Sequence, residues 1–302
     1  MLALGLFLFA GGMAAASTNS ASGRIVVGWF PPERRGLAMV VRQMAQPLGV
    51  GIAALSIPIL SESYGIGTAL WLPVGLAAVT ALVCAVAVLD PPRLSRGEAA
   101  DAGHLANPYR DSSFLWRIHG VSVLLVVPQF TVWTYALVWL ISERGWTAGA
   151  AGLLVALTQL LGAFGRIAAG QLSDHVGSRM HPLRWVAIGA SAVMFALAVT
   201  DGLDLSISVA IMMLASVITV ADNGLAFTSV AEVSGPYWSG RALGTKNTAQ
   251  FLAASIVPPV VGSAIAVLGY PLTFALTALC PALAAPLVPT AAERPFRPGP
   301  DV

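Results

Sequence analysis

Charge is what this sequence has least of. Asp, Glu, Lys and Arg together make up 10% of its 302 residues, against about 25% in average soluble domains. A soluble chain of this length could not cover its surface with so few. With 57% hydrophobic residues and a mean hydropathy of +0.79, the shortage points to lipid as the solvent. Lysine is nearly missing, since fifteen of the sixteen cations are arginine. The net charge of +2 is small and scattered, which argues against a nucleic-acid partner. Cysteine is limited to Cys84 and Cys280, both inside apolar runs, so neither a disulfide framework nor a metal site is expected. No Gly-x-Ser-x-Gly or His-Glu-x-x-His occurs, and His104, His119, His175 and His181 fall in loops or at the ends of apolar runs. An intramembrane enzyme needs a nucleophile and base, or metal ligands, at membrane depth. No catalytic residue and no cofactor are expected.

What is present is a series of long apolar runs. A bilayer span needs about 20 mostly apolar residues, and nine candidates occur: 2–29, 36–60, 66–89, 118–141, 149–172, 184–201, 206–231, 242–268 and 270–289. Without water to satisfy the backbone, such spans must be helices. The expected class is therefore an all-α, multi-pass membrane protein. Pro47, Pro58, Pro128, Pro258 and Pro259 lie inside spans and predict kinks rather than breaks.

Arginine sets the orientation. Alternate connections carry Arg34 and Arg35, then Arg93, Arg96, Arg110 and Arg117, then Arg179 and Arg184, then Arg241, and last Arg294 and Arg297. The opposite connections hold Arg144 alone, with the acids Glu62, Glu143, Asp201 and Asp204. The positive-inside bias puts the first set, and the C-terminus, in the cytoplasm. Trp29, Trp71, Trp116, Trp146, Trp185 and Trp238 fall at span ends, as an interfacial belt predicts.

The longest polar stretch, 90–117, reads as a cytoplasmic linker. It divides residues 1–89, with three spans, from 118–290, with six; a Pro- and Arg-rich tail at 291–302 reads as disordered. A shift of 204 residues supports the division. It lays Arg42-Gln43 over Lys246-Asn247 and Ala45-Gln46 over Ala249-Gln250, while Asn19 meets Asn223, Pro32 meets Pro236 and Gly36 meets Gly240. Parallel repeats of this kind build the two halves of some secondary transporters.

One run carries more specific information. Gly170-Gln171-Leu172-Ser173-Asp174-His175-Val176-Gly177-Ser178-Arg179 stands where an apolar span ends in a polar turn. It resembles the loop signature of the major facilitator superfamily, Gly-x-Leu-(Ala/Ser)-Asp-(Arg/Lys)-x-Gly-(Arg)-(Arg/Lys). Gly170, Leu172, Ser173, Asp174, Gly177 and Arg179 fit, whereas His175 and Ser178 each replace a usual cation. The resemblance implies a helical bundle that moves a small solute by alternating access. The six later spans then look like helices seven to twelve of the family's twelve, and the three earlier ones like helices four to six. Gly28 to Gly36 is similar to the turn after helix four. Helices one to three and the first copy of the signature have no counterpart, so a missing N-terminus is expected, through a fragment or a misplaced start. Residues 1–16 read poorly as a signal peptide, because no cation precedes Arg24. A truncated remnant that carries nothing shares every one of these features.

Polar groups within the spans are the site candidates, since ionisable residues in a membrane helix are costly. Asp222 and Asn223 lie in what the resemblance makes the tenth helix, a cavity former in relatives. Asp222 reads either as a proton or substrate site or as an ion pair with Lys246. Arg42 and Lys246, equivalent in the repeat, read as an anion clamp or as snorkelling cations; Asn19, Gln43, Asn247 and Gln250 accompany them. Arg24 and Arg166 read as snorkelling side chains or anchors between helices. Gln129 and Trp133, four residues apart in the seventh helix, suggest a hydrogen-bonding and aromatic wall or simple packing. Asp174 follows the C-terminus of its own helix, where the dipole repels it, and needs an outside partner. The resemblance implies a gate in which it docks at Arg34, Arg35 and the start of the 36–60 helix, with Gly170, Gly177 and Arg179 shaping the turn. The expected partners are the lipid bilayer, a small organic solute of anionic character and protons; the expected location is a bacterial inner membrane.

Overall fold

The computed structural model of the chain describes residues 2–92, 95–101, 103–110 and 112–293. Arg93, Arg294, Arg297 and the tail beyond Glu293 lie outside them. Every regular element among the described residues is helical: α1 (Leu2–Trp29), α2 (Pro32–Gln43), α3 (Ala45–Tyr64), α4 (Ile66–Ala69), α5 (Trp71–Ala87), α6 (Arg96–Asp101), α7 (Phe114–Ser142), α8 (Ala148–Val176), α9 (Met180–Gly202), α10 (Ser208–Ile218) and α11 (Asp222–Leu287), with a 3-10 turn at Thr290–Ala292. Five continuous stretches among these residues are long and apolar enough to cross a membrane: Ile66–Ala87, Phe114–Ser142, Ala148–Val176, Met180–Gly202 and Ser208–Ala292.

The last of these is not one rod. A straight 66-residue helix would run roughly 100 Å, about three bilayer cores end to end. Instead α11 breaks at Gly235 (φ 68°, ψ 177°) and Gly269 (φ 75°, ψ 172°), giving legs 222–234, 236–268 and 270–287. Both angle pairs are open to glycine but strained for other residues. Pro236 and Pro271 follow, fitting the first turn of the next leg because an N–H is superfluous there.

Proline also explains a smaller hitch. The span expected at 36–60 begins at Pro32, is interrupted at Met44 and runs on to Tyr64. Pro47 has no N–H to give the Gln43 carbonyl, which instead accepts from Arg166 Nη1 of α8 at 3.4 Å. The span expected at 206–231 is interrupted too, without a proline. Its chain tightens between α10 and α11, where Ala221 N bonds Ile218 O at 3.1 Å and Thr219 Oγ1 bonds Ala215 O at 2.7 Å. Asp222 therefore opens a new helix rather than continuing an old one.

The apolar interior forms two clusters. One, at the arginine-rich end, joins Met39, Phe114, Ile118, Met180, Leu183, Leu225, Val230 and Leu243. The other, at the far end, joins Val132, Trp139, Val193, Leu197, Met212, Tyr270 and Phe274. Between them lies a polar layer. Asn19, Arg42, Arg166 and Lys246 each stand about ten residues, or roughly 15 Å, from the arginine-rich end of their own helix or leg. Asp222 stands about twelve from the end of its leg.

The linker carries structure of its own. Ser95 and Glu98 cap α6 reciprocally, Ser95 N donating to Glu98 Oε2 at 2.8 Å and Glu98 N to Ser95 Oγ at 3.3 Å. The expected disorder from 291 likewise gives way, up to Glu293, to the 3-10 turn and to a bound carboxylate described below.

Candidate functional site

The polar layer is tied together across the bundle. Arg42 Nη1 donates to the carbonyl and side-chain oxygens of Asn19 (3.1 and 3.0 Å) and to Ser22 Oγ (2.7 Å). Asn19 Nδ2 donates to Asn247 Oδ1 at 3.2 Å, and Gln43 Nε2 to the Asn223 carbonyl at 3.3 Å. Asn223 Nδ2 donates to Gln129 Oε1 at 3.0 Å, and Gln250 Nε2 to Asn223 Oδ1 at 3.3 Å. Lys246 Nζ donates to Gln250 Oε1 at 2.8 Å. The 204-residue repeat is visible in this web. The contact of Asn19 with Asn247 and that of Asn223 with Gln43 exchange when each residue is replaced by its repeat equivalent.

Phe227 sits at the centre of the charges. Lys246 Nζ lies 3.8 Å from its ring centroid and Arg42 Cζ 5.5 Å, within the range where a ring face attracts a cation. A cavity of about 30 Å³ opens beside it, lined among others by Asn19, Gln43, Gln129, Asn223, Phe227 and Gln250. Of the residues expected at the site, Trp133 is the one this grouping leaves aside. It stacks on Phe130 at 5.5 Å and does not line the cavity.

Asp222 does not form the ion pair with Lys246 that was one of its two readings. Lys246 binds Gln250, and neither carboxylate oxygen of Asp222 has a hydrogen-bonding partner among the described residues. The acid is 1% exposed and stands in the fields of Lys246 and Arg166, themselves 0% and 2% exposed. Its place in the first turn of α11 lets the helix dipole offset part of the burial. The other cations differ in depth. Arg166 is buried against Gln43, Arg42 is half-buried against Asn19, and Arg24 reaches Asp90 at 2.8 Å. Three cations and one acid share the layer, where uncompensated charge is expensive.

The second grouping is the signature turn. Gly177 ends α8 in the left-handed conformation (φ 66°, ψ 24°), the usual glycine cap. The chain turns back so that Arg179, 1% exposed, contacts Asp174 and donates to Ser173 Oγ at 2.9 Å. Its Nη2 and Nε donate to Glu232 at 3.2 and 3.5 Å. Asp174 Oδ2 accepts from the backbone N–H of Leu37 in α2 at 3.1 Å. Arg35 turns to the Phe30 carbonyl at 2.8 Å, and Arg34 stands exposed at the start of α2.

Glycine makes the approach of α2 to α8 possible. A Cβ on Gly36 would lie 2.5 Å from Asp174 Oδ1 and 2.6 Å from Arg179 Nη1. Val40, one turn on, fills a socket between Gly170 and Gly224, where added Cβ atoms would meet it at 2.9 and 2.5 Å.

Sequence reasoning missed several members. Phe227 reads as core until Lys246 is seen above it. Glu232 and Glu293 were ordinary charges near a helix end and in the tail. Glu293 Oε1 accepts from the N–H groups of Arg179 (2.5 Å) and Met180 (3.1 Å), and its Oε2 accepts from Ser178 Oγ. It thus caps α9 and braces Arg179. A count of apolar residues around each acid could have flagged Glu232; nothing local marked Glu293.

The sequence model of the Major Facilitator Superfamily matches residues 1–258. Two uncharacterised MFS-type transporters of Mycobacterium tuberculosis strains, Rv2994 and MT3072, are 51% and 50% identical over 289 residues. The match takes in 96% of this chain and 64% of theirs, so the chain spans just under two thirds of their length. Among solved structures, FucP in its outward conformation superposes with a TM-score of 0.68 at 17% identity, over 91% of this chain and 73% of its own. The human organic anion transporter MFSD10 gives 0.68 at 21%, over 89% and 67%. At these identities the structures establish a shared fold.

Proposed function

The chain belongs to the major facilitator superfamily, an integral multi-pass membrane protein of a transporter family, and we propose that it carries a small organic anion by alternating access, coupled to protons through Asp222. The observation that supports this reading is the charge imbalance of the polar layer: Arg42, Arg166 and Lys246 against Asp222, between two apolar cores. An anion beside Phe227 and Lys246 would offset the surplus, and the planar fork of Arg42 suits a carboxylate. Asp222, without a hydrogen-bonding partner, is the group whose charge a proton most simply removes.

In this reading residues 1–89 and 118–290 are the two moving halves, joined by the 90–117 linker. The arginine-rich face is cytoplasmic, the chain's C-terminal end lies there, and the membrane is a bacterial inner membrane. Asp174 bridges the halves on that face by holding Leu37. Releasing and regaining that contact biases a two-state gate.

Proteoliposomes containing the full chain and an internal pH dye test the reading. A panel of mono- and dicarboxylates, amino acids and neutral sugars is added outside. The reading expects at least one carboxylate to drive a pH change that D222N abolishes. A sugar or a cationic solute as the sole driver would refute the anion assignment, and an undiminished pH signal in D222N would refute the coupling.

A further inference from the structure

One hydrogen-bonded chain in the polar layer has a fixed direction. The Lys246 ammonium carries donors and no acceptor, so Gln250 turns its Oε1 to Nζ, at 2.8 Å. Gln250 Nε2 is then the end left to reach Asn223 Oδ1, at 3.3 Å. That in turn aims Asn223 Nδ2 at Gln129 Oε1, at 3.0 Å. Each amide passes the constraint to the next, and the chain runs out at Gln129 with its Nε2 hydrogens facing onward. No hydrogen bond among the described residues takes them up.

A second amide is oriented from the other side. The Asn223 main-chain carbonyl can only accept, so Gln43 gives it Nε2 at 3.3 Å and keeps Oε1 open. No hydrogen bond among the described residues reaches that oxygen either. Gln43, on α2, and Gln129, on α7, are 7% and 3% exposed, and both line the cavity of about 30 Å³ beside Phe227. Buried polar groups are nearly always paired. A donor and an acceptor left open into one cavity therefore describe a missing partner.

The partner they describe is narrow in kind. A cavity of this size has room for a group about as large as one water. That group must accept from Gln129 and donate to Gln43. A carboxylate only accepts and an ammonium only donates, whereas a hydroxyl does both. Among the described residues no charged side chain lines the cavity, so it suits an uncharged group. The charges stand next to it, where Lys246 and Arg42 face the Phe227 ring.

We propose that the substrate is a hydroxycarboxylate, with its carboxylate at Arg42 and Lys246 and its hydroxyl between Gln129 Nε2 and Gln43 Oε1. The hydroxyl bridges the segments before and after the 90–117 linker. Lys246 acts twice: its charge attracts the carboxylate, and its bond to Gln250 sets which way the amides point. The carboxylate end rests on the transport reading; the hydroxyl end rests on the two amides.

The experiment is a calorimetric titration of the purified full chain in nanodiscs with 2-, 3- and 4-hydroxybutanoate, with butanoate and with 1,3-butanediol. The three isomers move the hydroxyl along one carbon chain, and one of them is expected to bind about tenfold or more tightly than butanoate. Q129L and Q43L remove the donor and the acceptor in turn, and each is expected to bring that ratio to within about threefold. Should neither variant assemble, the oxo acid matching the best isomer takes their place. It accepts from Gln129 but has nothing to give Gln43, so it is expected to bind more weakly than the hydroxy acid. Hydroxybutanoates no tighter than butanoate would mean that the cavity holds only a water, and would overturn the proposal. A ratio that both variants leave unchanged, an oxo acid that binds as tightly, or a panel in which nothing binds would overturn it too. Butanoate that binds without any hydroxyl preference leaves the anion reading standing. Butanediol binding that Q129L abolishes, with no carboxylate bound, does the reverse: the anion reading fails and the hydroxyl site stands.

Discussion

Asp174 and Leu37 are 137 residues apart in the chain, yet a carboxylate oxygen of the first accepts the backbone N–H of the second at 3.1 Å. The donor is a main-chain amide in the second turn of α2, so no side chain at position 37 enters the bond. The signature acid recognises the backbone of a helix, and what matters in its partner is the room to approach. Gly36 provides that room.

Gly36→Ala therefore tests the gate at its tightest point. The added methyl would sit 2.5 Å from Asp174 Oδ1, and relieving such overpacking typically costs about 1–3 kcal/mol. Charged to the closed state alone, that is roughly a tenfold to hundredfold change in the gate equilibrium. A cysteine placed near the turn should become more reactive to a water-soluble maleimide. Unchanged labelling would mean that this contact does not hold the face shut.

Replacing Asp222 separates coupling from structure. Removing one partner of a buried ion pair costs about 3–5 kcal/mol. Asp222 has no direct partner, so D222N is expected to leave the thermal midpoint within a few degrees of the parent while abolishing pH-dependent uptake. A large fall in the midpoint would restore the structural role.

Phe227→Leu removes the ring but keeps an apolar side chain. A desolvated cation–π contact contributes up to about 2 kcal/mol, and Lys246 Nζ lies 3.8 Å from the centroid. Anion affinity, measured by calorimetry with whichever carboxylate drives uptake, should fall by roughly tenfold. Equal affinity in the variant would show that the ring only packs.

Tyr135 and Gly262 form a second glycine-dependent contact. The phenol donates to the Pro258 carbonyl at 2.5 Å, and a Cβ on Gly262 would meet Tyr135 Oη at 2.5 Å. Y135F should cost about 1 kcal/mol for the lost hydrogen bond. G262A should cost more in the parent than in the Y135F background, because the clashing oxygen is then gone. Additive losses in thermal unfolding would refute the contact.

Helix content, apolar spans and the site of the signature turn were legible because each is local. An apolar run of bilayer length can satisfy its backbone only as helix, and Gly177 marks its turn by conformation alone. The repeat was legible as well, since it lies in the order of residues. Span ends were less so. Glu33, Arg34, Arg35, Glu232 and Ser234 are polar but helical, because their backbones continue hydrogen bonds that the apolar stretch began. Glu293 could not be foreseen, as its role depends on where a distant helix begins.

Sequence by itself determined that this chain is helical, threads a membrane and keeps its polar residues at matching depths, because hydropathy and periodicity act along the chain. The tertiary structure alone decided which polar groups meet. It sent Lys246 to Gln250 and Phe227 rather than to Asp222, drew Arg166 inward to the carbonyl that Pro47 leaves free, and left Asp222 and His119 Nδ1 unpartnered. Such choices depend on which helix faces cross and how closely. Here they turn on single missing methyl groups at Gly36, Gly170 and Gly224.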